Sequence, residues 1–530
     1  MKILVAEPLA QAGVELLQAQ PGWDVVISTP KEYAAHLGDC DALLVRSAVK
    51  VTPEVLAKAP KLRVIGRAGV GVDNVDLPAA TAAGVLVMNA PGGNAISVAE
   101  HTIALMLSMA RSIPQASAST KAGKWEKKKF LGNEVRGKTL GIVGFGSIGR
   151  EVVKRARPFE MRIIAHDPFV NARAAADLGV ELVDLPALFA QSDYITLHMA
   201  LTPETERMIG AAAFEQMKPG VRIINCARGE LIDGAALTAA MQSKRVAGAA
   251  LDVFDPEPPA ADNPLLAMDG LIATPHIGGS TEEAQEIVGV RIAEQLVEYL
   301  NNGVALNAVN MPAMSAEQYR TVGPYVSLAE RLGNFAAYIA SGHPSVVKLV
   351  YTGRIAEFNT TLLRNAGLAG VLNRSLSRHV NLVNSMGIAG ERGLSVDERH
   401  DKRQSHIDSI RLELETDSGL TTVEGSVVLG KPRLTQVDGI QCEASLAGHV
   451  VFMKNIDVPG VIGHVGSVLG KNKVNIANFS LGRAERPASE GLPLIAIAVV
   501  ATDEPVSDAV LAQLRENPAV QLAKMVAFPS

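Results

Sequence analysis

The chain is predicted to be α/β, with two doubly wound parallel-sheet lobes, then an α+β segment and a small βαββαβ domain. Three observations support this. Short apolar strands alternate with helical runs from Lys2 to about Thr274, the pattern of parallel sheets covered on both faces. Gly144, Gly146 and Gly149 stand in G-x-G-x-x-G spacing between a strand and a helix, and Asp167 closes the next strand. From about residue 448 the order is strand, helix, strand, strand, helix, strand, the ferredoxin-like plan. At 530 residues the chain exceeds what one core can hold, so several domains are expected.

The first lobe spans residues 1–98. Its strands lie near K-I-L-V-A, D-V-V-I-S, A-L-L-V-R, L-R-V-I-G and G-V-L-V-M, a flavodoxin-like succession. Ligands on such sheets sit beyond the carboxyl ends of strands. Arg46 and Arg67 stand at two of those ends and suit an anionic substrate, because guanidinium pairs bidentately with carboxylate or phosphate. Gly69, Val70 and Asn94 add backbone and amide groups nearby. The apolar helix from Ile96 to Met109 is expected to cross into the second lobe.

The second lobe, residues 99–285, opens on the glycine fingerprint of a Rossmann domain. Gly144 permits a tight turn, Gly146 lets backbone approach a pyrophosphate, and Gly149 lets the helix pack on the strand. Asp167 would accept hydrogen bonds from a ribose 2′-hydroxyl and repel a 2′-phosphate, which favours NAD over NADP. Three later strands end in N-C-A-R-G, D-V-F-D-P-E-P and T-P-H-I-G-G, which sets Arg228, Glu257 and His276 beyond successive carboxyl edges. Hydride chemistry on a 2-hydroxy acid needs this set. Arginine holds the carboxylate and polarises the 2-oxygen, histidine takes the hydroxyl proton, and glutamate orients the histidine. Cys226 reads as a packed small residue rather than a nucleophile. A long helix is expected over Glu282 to Gly303.

The segments V-G-F-G-S-I-G, N-C-A-R-G-E-L-I-D, A-L-D-V-F-D-P-E-P and T-P-H-I-G-G-S-T resemble the signatures of the NAD-dependent D-isomer-specific 2-hydroxyacid dehydrogenases. L-V-R-S-A, I-G-R-A-G-V-G-V-D-N-V-D and G-K-W-E-K-K-K-F are most similar to the branch acting on 3-phospho-D-glycerate. The resemblance implies Arg228, Glu257 and His276 as catalytic residues. It implies a cofactor site of Ser147, Ile148, Asp167, Cys226, Ala227, Arg228, Asp252, His276, Gly278 and Gly279 beside the glycine turn, with Asp252 meeting the nicotinamide carboxamide. It also implies that Arg46, Arg67 and the Gly69-Val70 backbone handle substrate anions, and that the Lys127-Lys128-Lys129 run lies near a dimer interface. The resemblance to these two-lobed enzymes further implies that the Glu282 to Gly303 helix returns the chain, so that residues 286–310 complete the first lobe and the two crossings form a hinge. Met199 departs from the smaller or hydroxyl residue common in the family.

Residues 311–447 read as a linker, an amphipathic helix over Tyr319 to Ser341 and a mixed α/β region with no catalytic constellation. Its basic residues, Arg374, Arg378, His379, Arg399, His400, Lys402 and Arg403, read either as solvated surface or as an anion pocket. The position resembles the intervening regulatory domain of long-form relatives. In residues 448–530, D-V-P-G-V-I-G-H-V-G and K-V-N-I-A resemble an ACT domain, a dimerising module that binds amino acids. Asn455, Asp457 and Asn475 could hold an amino acid's ammonium and carboxylate; they read equally as turn and cap residues. L-serine as effector follows from the resemblance alone.

The bulk composition narrows the alternatives. Hydrophobic residues make up 48% and aromatics 4%, so the cores are aliphatic. Fifty basic against 55 acidic side chains, a net charge of −5, argue against nucleic-acid or membrane surfaces. Cys40, Cys226 and Cys442 have no paired spacing, so no disulfide framework and no metal site are expected, and a reducing, cytoplasmic setting fits. The expected reaction is NAD-dependent oxidation of 3-phospho-D-glycerate at the head of serine synthesis, by a homo-oligomer, with a tetramer suggested by the ACT module. Two other readings are a reductase of glyoxylate, hydroxypyruvate or 2-oxoglutarate, and a non-catalytic NAD-sensing protein, which would be expected to have a broken Arg-Glu-His set.

Overall fold

A computed structural model describes residues 1–312, 314, 316–374, 376, 379–402, 407–487 and 493–528. Apolar tetrapeptides such as A-L-L-V and Y-I-T-L are buried on both faces, which a parallel sheet between helical layers requires. In the first lobe β1 (Lys2–Val5), β2 (Asp24–Ile27), β3 (Ala42–Val45), β4 (Val64–Arg67) and β5 (Leu86–Asn89) form a parallel sheet in the order β2-β1-β3-β4-β5. This is the flavodoxin-like order.

The second sheet holds β6 (Thr139–Val143), β7 (Arg162–His166), β8 (Glu181–Leu182), β9 (Tyr194–Leu197), β10 (Val221–Asn225), β11 (Val246–Leu251) and β12 (Leu271–Ala273). Their order is β12-β11-β10-β9-β6-β7-β8, again parallel. Strand order reverses between β6 and β9, so the ligand crevice lies at the carboxyl ends of those strands.

Two helices join the lobes. Ala95–Arg111 sends Val98, Ala99 and Met106 into the core of the second lobe. Glu282–Asn302 returns and buries Val288, Ile292 and Leu296 with Ile3, Leu44 and Leu86 of the first. Small residues make that return close: a Cβ on Gly13 would lie 2.7 Å from the Gly289 carbonyl oxygen. Ser97 and Thr281 share a hydroxyl hydrogen bond of 2.8 Å where the two crossings meet.

The third sheet contains β13 (Pro344–Thr352), β14 (Ser395–Asp401), β15 (Ser409–Thr416), β16 (Gly419–Val428), β17 (Lys431–Val437) and β18 (Ile440–Ser445), in the order β14-β13-β15-β16-β17-β18. Only β14 pairs in parallel. The helices Ala316–Ile339 and Thr361–Asn373 share a core with this sheet. They approach closely because a Cβ on Gly333 or Gly370 would strike backbone carbonyls of the facing helix. Among the described residues the basic side chains read as solvated surface or an anion pocket do not gather into one pocket. Arg374 lies over the Tyr338 ring at 4.5 Å, His400 Nε2 meets the Thr360 hydroxyl at 2.8 Å, and His379, Arg399 and Lys402 are exposed. Arg378 and Arg403 lie outside the described residues.

The fourth sheet is antiparallel in the order β20-β21-β19-β22, from β19 (His449–Ile456), β20 (Ile476–Arg483), β21 (Ile495–Thr502) and β22 (Val520–Ala527). One face packs Val451, Met453 and Val500 under the helices Val461–Lys471 and Asp508–Arg515. The other face sets Phe452 edge-on to Phe335 at 5.5 Å, so one apolar core is continuous with the third sheet's domain. Among the described residues no helix is long and apolar enough to cross a membrane.

Candidate active site and cofactor cleft

The glycine turn is closely packed at two of its three fingerprint positions. Gly144 has φ +94°, and a Cβ there would lie 2.6 Å from the His198 carbonyl. A Cβ on Gly149 would strike the Gly144 carbonyl oxygen, so only glycine lets the helix Ser147–Ala156 sit against the strand. Gly146 faces open space, with nothing within 4 Å of an added Cβ. The helix begins there without a side-chain cap, leaving its first N–H groups for a phosphate. Asp167 is tied to this turn. It accepts the Phe145 N–H at 2.8 Å through one oxygen and the Phe169 N–H at 2.9 Å through the other. Ile148 is half-buried, Ser147 is exposed, and Met199 is half-buried against the apolar core.

Asp252 follows β11 and is 1% exposed. It accepts the Thr274 hydroxyl at 2.5 Å, the Ile277 N–H at 2.9 Å and the Gly278 N–H at 2.8 Å. Burial opposes its ionisation, but hydrogen bonds from His101, Thr274 and the two backbone groups outweigh this and hold its carboxyl below the ordinary range. Asp252 therefore shapes the His276–Gly279 turn. His101 Nε2 lies 3.1 Å from the Thr274 hydroxyl and 3.4 Å from Asp252. Cys226 and Ala227 are buried beneath this floor, and burial pushes the Cys226 thiol up to about 12, which removes it as a nucleophile.

Beyond the strands, His276 Nδ1 meets Glu257 Oε2 at 2.9 Å, and Glu257 Oε1 accepts the Phe254 N–H at 3.0 Å. The glutamate hydrogen bond raises the His276 pKa against burial. Burial opposes ionisation of Glu257, but the same histidine and the Phe254 amide bring its pKa down. With Nδ1 donating to the carboxylate, Nε2 is left as the proton acceptor. His276 sits at φ +53°, and its N–H donates to the Asp252 carbonyl at 2.8 Å. Arg228 follows β10, where buried Asn225 accepts the Ala227 N–H and donates to the Arg228 carbonyl. Its Nη1 donates to the Ala227 carbonyl at 2.6 Å and its Nη2 pairs with Asp73 Oδ2 at 2.8 Å.

The first lobe faces this set. The Arg67 guanidinium folds onto Gly69, where a Cβ would collide with it, and its buried Nε has no hydrogen-bond partner. Burial, then the neighbouring Arg228 charge, lowers its pKa. Val70 holds the Asn89 side chain through its carbonyl. Asn94 Oδ1 is buried and unpartnered, and Asn94 Nδ2 abuts Gly279. Arg46 is half-buried and donates to the Pro8 carbonyl at 3.3 Å. Its loop hangs on Glu7, whose carboxylate accepts the N–H groups of Arg46, Ala48 and Val49. The sequence reading missed Glu7, Asp73, Asn89 and His101. Glu7 and Asn89 were legible as strand-end residues like Arg46; His101 needed its helix docked on the second sheet, and Asp73 needed the lobes brought together. The Lys127-Lys128-Lys129 turn is exposed beside Trp125 and Leu131, which are 84% and 92% exposed.

In the fourth domain Asn455, Asp457, Val461, Phe479 and Arg483 line a cavity of about 330 Å³. Asn455 is buried with Oδ1 unpartnered, and Asp457 pairs with Arg483 at 3.2 Å. Asn475 does not join them within the chain: it precedes β20, at the end of the sheet opposite Arg483, and donates to Asp503 at 2.7 Å. The expected grouping of three is corrected here, because β20 and β19 run in the same direction on either side of β21.

A glycine turn at the switch point of one lobe, facing strand-end arginines of another, is the architecture of an NAD-dependent 2-hydroxyacid dehydrogenase. Residues 103–278 match the D-isomer specific 2-hydroxyacid dehydrogenase NAD binding domain. Residues 321–438 match the D-3-phosphoglycerate dehydrogenase intervening domain, and residues 449–519 the ACT domain. The chain is 43% identical over 523 residues to D-3-phosphoglycerate dehydrogenase of Methanocaldococcus jannaschii, covering 98% of each. It is 41% identical to that of Archaeoglobus fulgidus over 97% of each. The solved NAD-dependent formate dehydrogenase of Staphylococcus aureus, in complex with NAD, aligns at a TM-score of 0.51 and 31% identity over 57% of this chain and 96% of that one. The chain belongs to the D-3-phosphoglycerate dehydrogenase family and is an NAD-dependent oxidoreductase.

Proposed function

We propose that the chain oxidises 3-phospho-D-glycerate at C2 to 3-phosphooxypyruvate, the entry to serine synthesis, with His276 as the base. The observation that carries this reading is the Glu257–His276 pair at 2.9 Å beside Arg228, facing Arg67 across the cleft. Arg228 holds the substrate carboxylate and polarises the 2-oxygen. His276 Nε2 takes the hydroxyl proton, and Glu257 stabilises the imidazolium formed. NAD, when bound, supplies the hydride acceptor. Gly144, Gly146, Ser147, Ile148 and Gly149 cradle its pyrophosphate, Asp167 takes the ribose, and Cys226, Ala227, Asp252, Gly278 and Gly279 wall the nicotinamide end. Arg46 and Arg67, with the Gly69-Val70 backbone and Asn94, seat the phosphate and orient the acid. Closure about the two crossing helices excludes water.

L-serine is the proposed effector, at the cavity of Asn455 and Asp457, with Asn475 left for a neighbouring copy. Exposed Trp125 and Leu131 support an interface between copies, and paired dehydrogenase lobes together with an ACT module suggest a tetramer. Three buried, unpaired cysteines support a reducing, cytoplasmic setting. NADH formation with 3-phospho-D-glycerate, with D-glycerate, and with added L-serine tests the substrate and the effector. Turnover of an unphosphorylated acid alone would keep the mechanism and overturn the substrate.

A further inference from the structure

Arg228 is already engaged by a carboxylate. Asp73 Oδ2 lies 2.8 Å from Arg228 Nη2 in an ion pair between the lobes. The loop that presents Asp73 is anchored: Asn74 Nδ2 donates to the Val49 carbonyl at 2.7 Å, and Val51 bridges to Val75. Gly71 has no room for a side chain, because a Cβ there would meet both the Arg228 guanidinium and the Asp73 carboxylate. Burial disfavours the charge on Asp73, but Arg228 by charge and hydrogen bond, and Arg67 by charge, hold its carboxyl below the ordinary range. Asp73 is thus a carboxylate, 61% exposed, held on an anchored loop among the guanidinium groups proposed to receive the substrate's anions.

We propose that Asp73 is an intramolecular competitor for the substrate carboxylate, seated on Arg228 so that a 2-hydroxy or 2-oxo acid binds by exchange rather than by simple addition. This rests on the assignment of Arg228 as the carboxylate holder. A carboxylate held by two nitrogens of the Arg228 fork uses Nη2 with either Nε or Nη1, so it shares Nη2 with Asp73 and meets like charge until Asp73 withdraws. The pair therefore weakens ligands whose only anion is the carboxylate. A second anion, held elsewhere in the cleft, offsets that loss. Asp73 acts through Arg228 and is a positioning and specificity residue, not a catalytic one.

Oxamate binding to the enzyme–NADH complex, followed by NADH fluorescence, tests this without depending on the natural substrate. Asp73→Asn and Asp73→Ser should each bind oxamate about twofold to fivefold more tightly, the range of a partly exposed ion pair, with NADH affinity unchanged. Unchanged or weaker oxamate binding in both variants, with NADH still bound, overturns the proposal and makes Asp73 a strut that aims Arg228. Arg228→Gln separates the two assignments. If it binds oxamate as well as the parent enzyme, the carboxylate role of Arg228 fails and the Asp73 proposal fails with it. If Arg228→Gln loses oxamate while the Asp73 variants do not gain it, only the Asp73 proposal fails.

Discussion

Glu257→Gln removes one charge and keeps the shape of the side chain. The glutamine oxygen can still accept the Phe254 N–H, so the loop is held while His276 loses its carboxylate partner. The bond is 2.9 Å long, and the two side chains are 50% and 38% exposed. A shielded charged hydrogen bond contributes about 1.5–3 kcal/mol and an exposed ion pair about 0–1, so a half-exposed pair falls near 1–1.5. If that energy stabilises the imidazolium as the proton arrives, kcat falls roughly tenfold. The pH profile shifts in a defined direction. Glu257 raises the His276 pKa, and oxidation needs His276 neutral, so the acid limb of kcat/KM moves to lower pH in the variant. The stability linkage is bounded on both sides. The contribution of the raised His276 pKa is full below its unfolded value and is lost as pH rises through the folded one. The contribution of the depressed Glu257 pKa is present above its unfolded value and is lost as pH falls through the folded one. The pair therefore stabilises most between the two unfolded values, and its contribution is lost beyond the two folded ones. Steady-state kinetics across pH provide the assay. An acid limb that stays in place or moves to higher pH would refute the coupling of Glu257 to His276.

Further substitutions isolate other parts of the site. His276→Asn suits the left-handed backbone at φ +53° better than alanine would; turnover should fall by about 10²–10⁴ with NAD affinity, read by fluorescence titration, little changed. Asp167→Ser removes the charge that repels a 2′-phosphate, and the ratio of kcat/KM for NADP to that for NAD should rise by roughly tenfold or more. His101→Phe deletes the contacts to Thr274 and Asp252, so KM for NAD should rise about threefold to tenfold while kcat falls less; an unchanged KM would remove His101 from the cofactor site.

Much of this protein was legible in the chain. Continuous apolar strands, the spacing of Gly144, Gly146 and Gly149, and the acid at Asp167 specify two parallel sheets and a switch point, because turn sterics and burial on both faces are local demands. The sequence also pointed to Arg228, Glu257 and His276, since each ends a strand and parallel strands bring their ends to one edge. The hairpins from Ser409 to Ser445 were not legible: β16 carries Thr, Glu and Gly among few apolar residues, and its pairing depends on neighbours distant in sequence. Only the tertiary structure decided the charge partners. Asp73 meets Arg228 and His101 meets Asp252 through docking of one lobe or helix on another, and no local pattern encodes such an approach. The same limit parted Asn475 from Asp457: both lie near loops, but strand direction sets them at opposite ends of one sheet. Local sterics are written in neighbouring residues, whereas electrostatic partnership is a property of distances that exist only after folding.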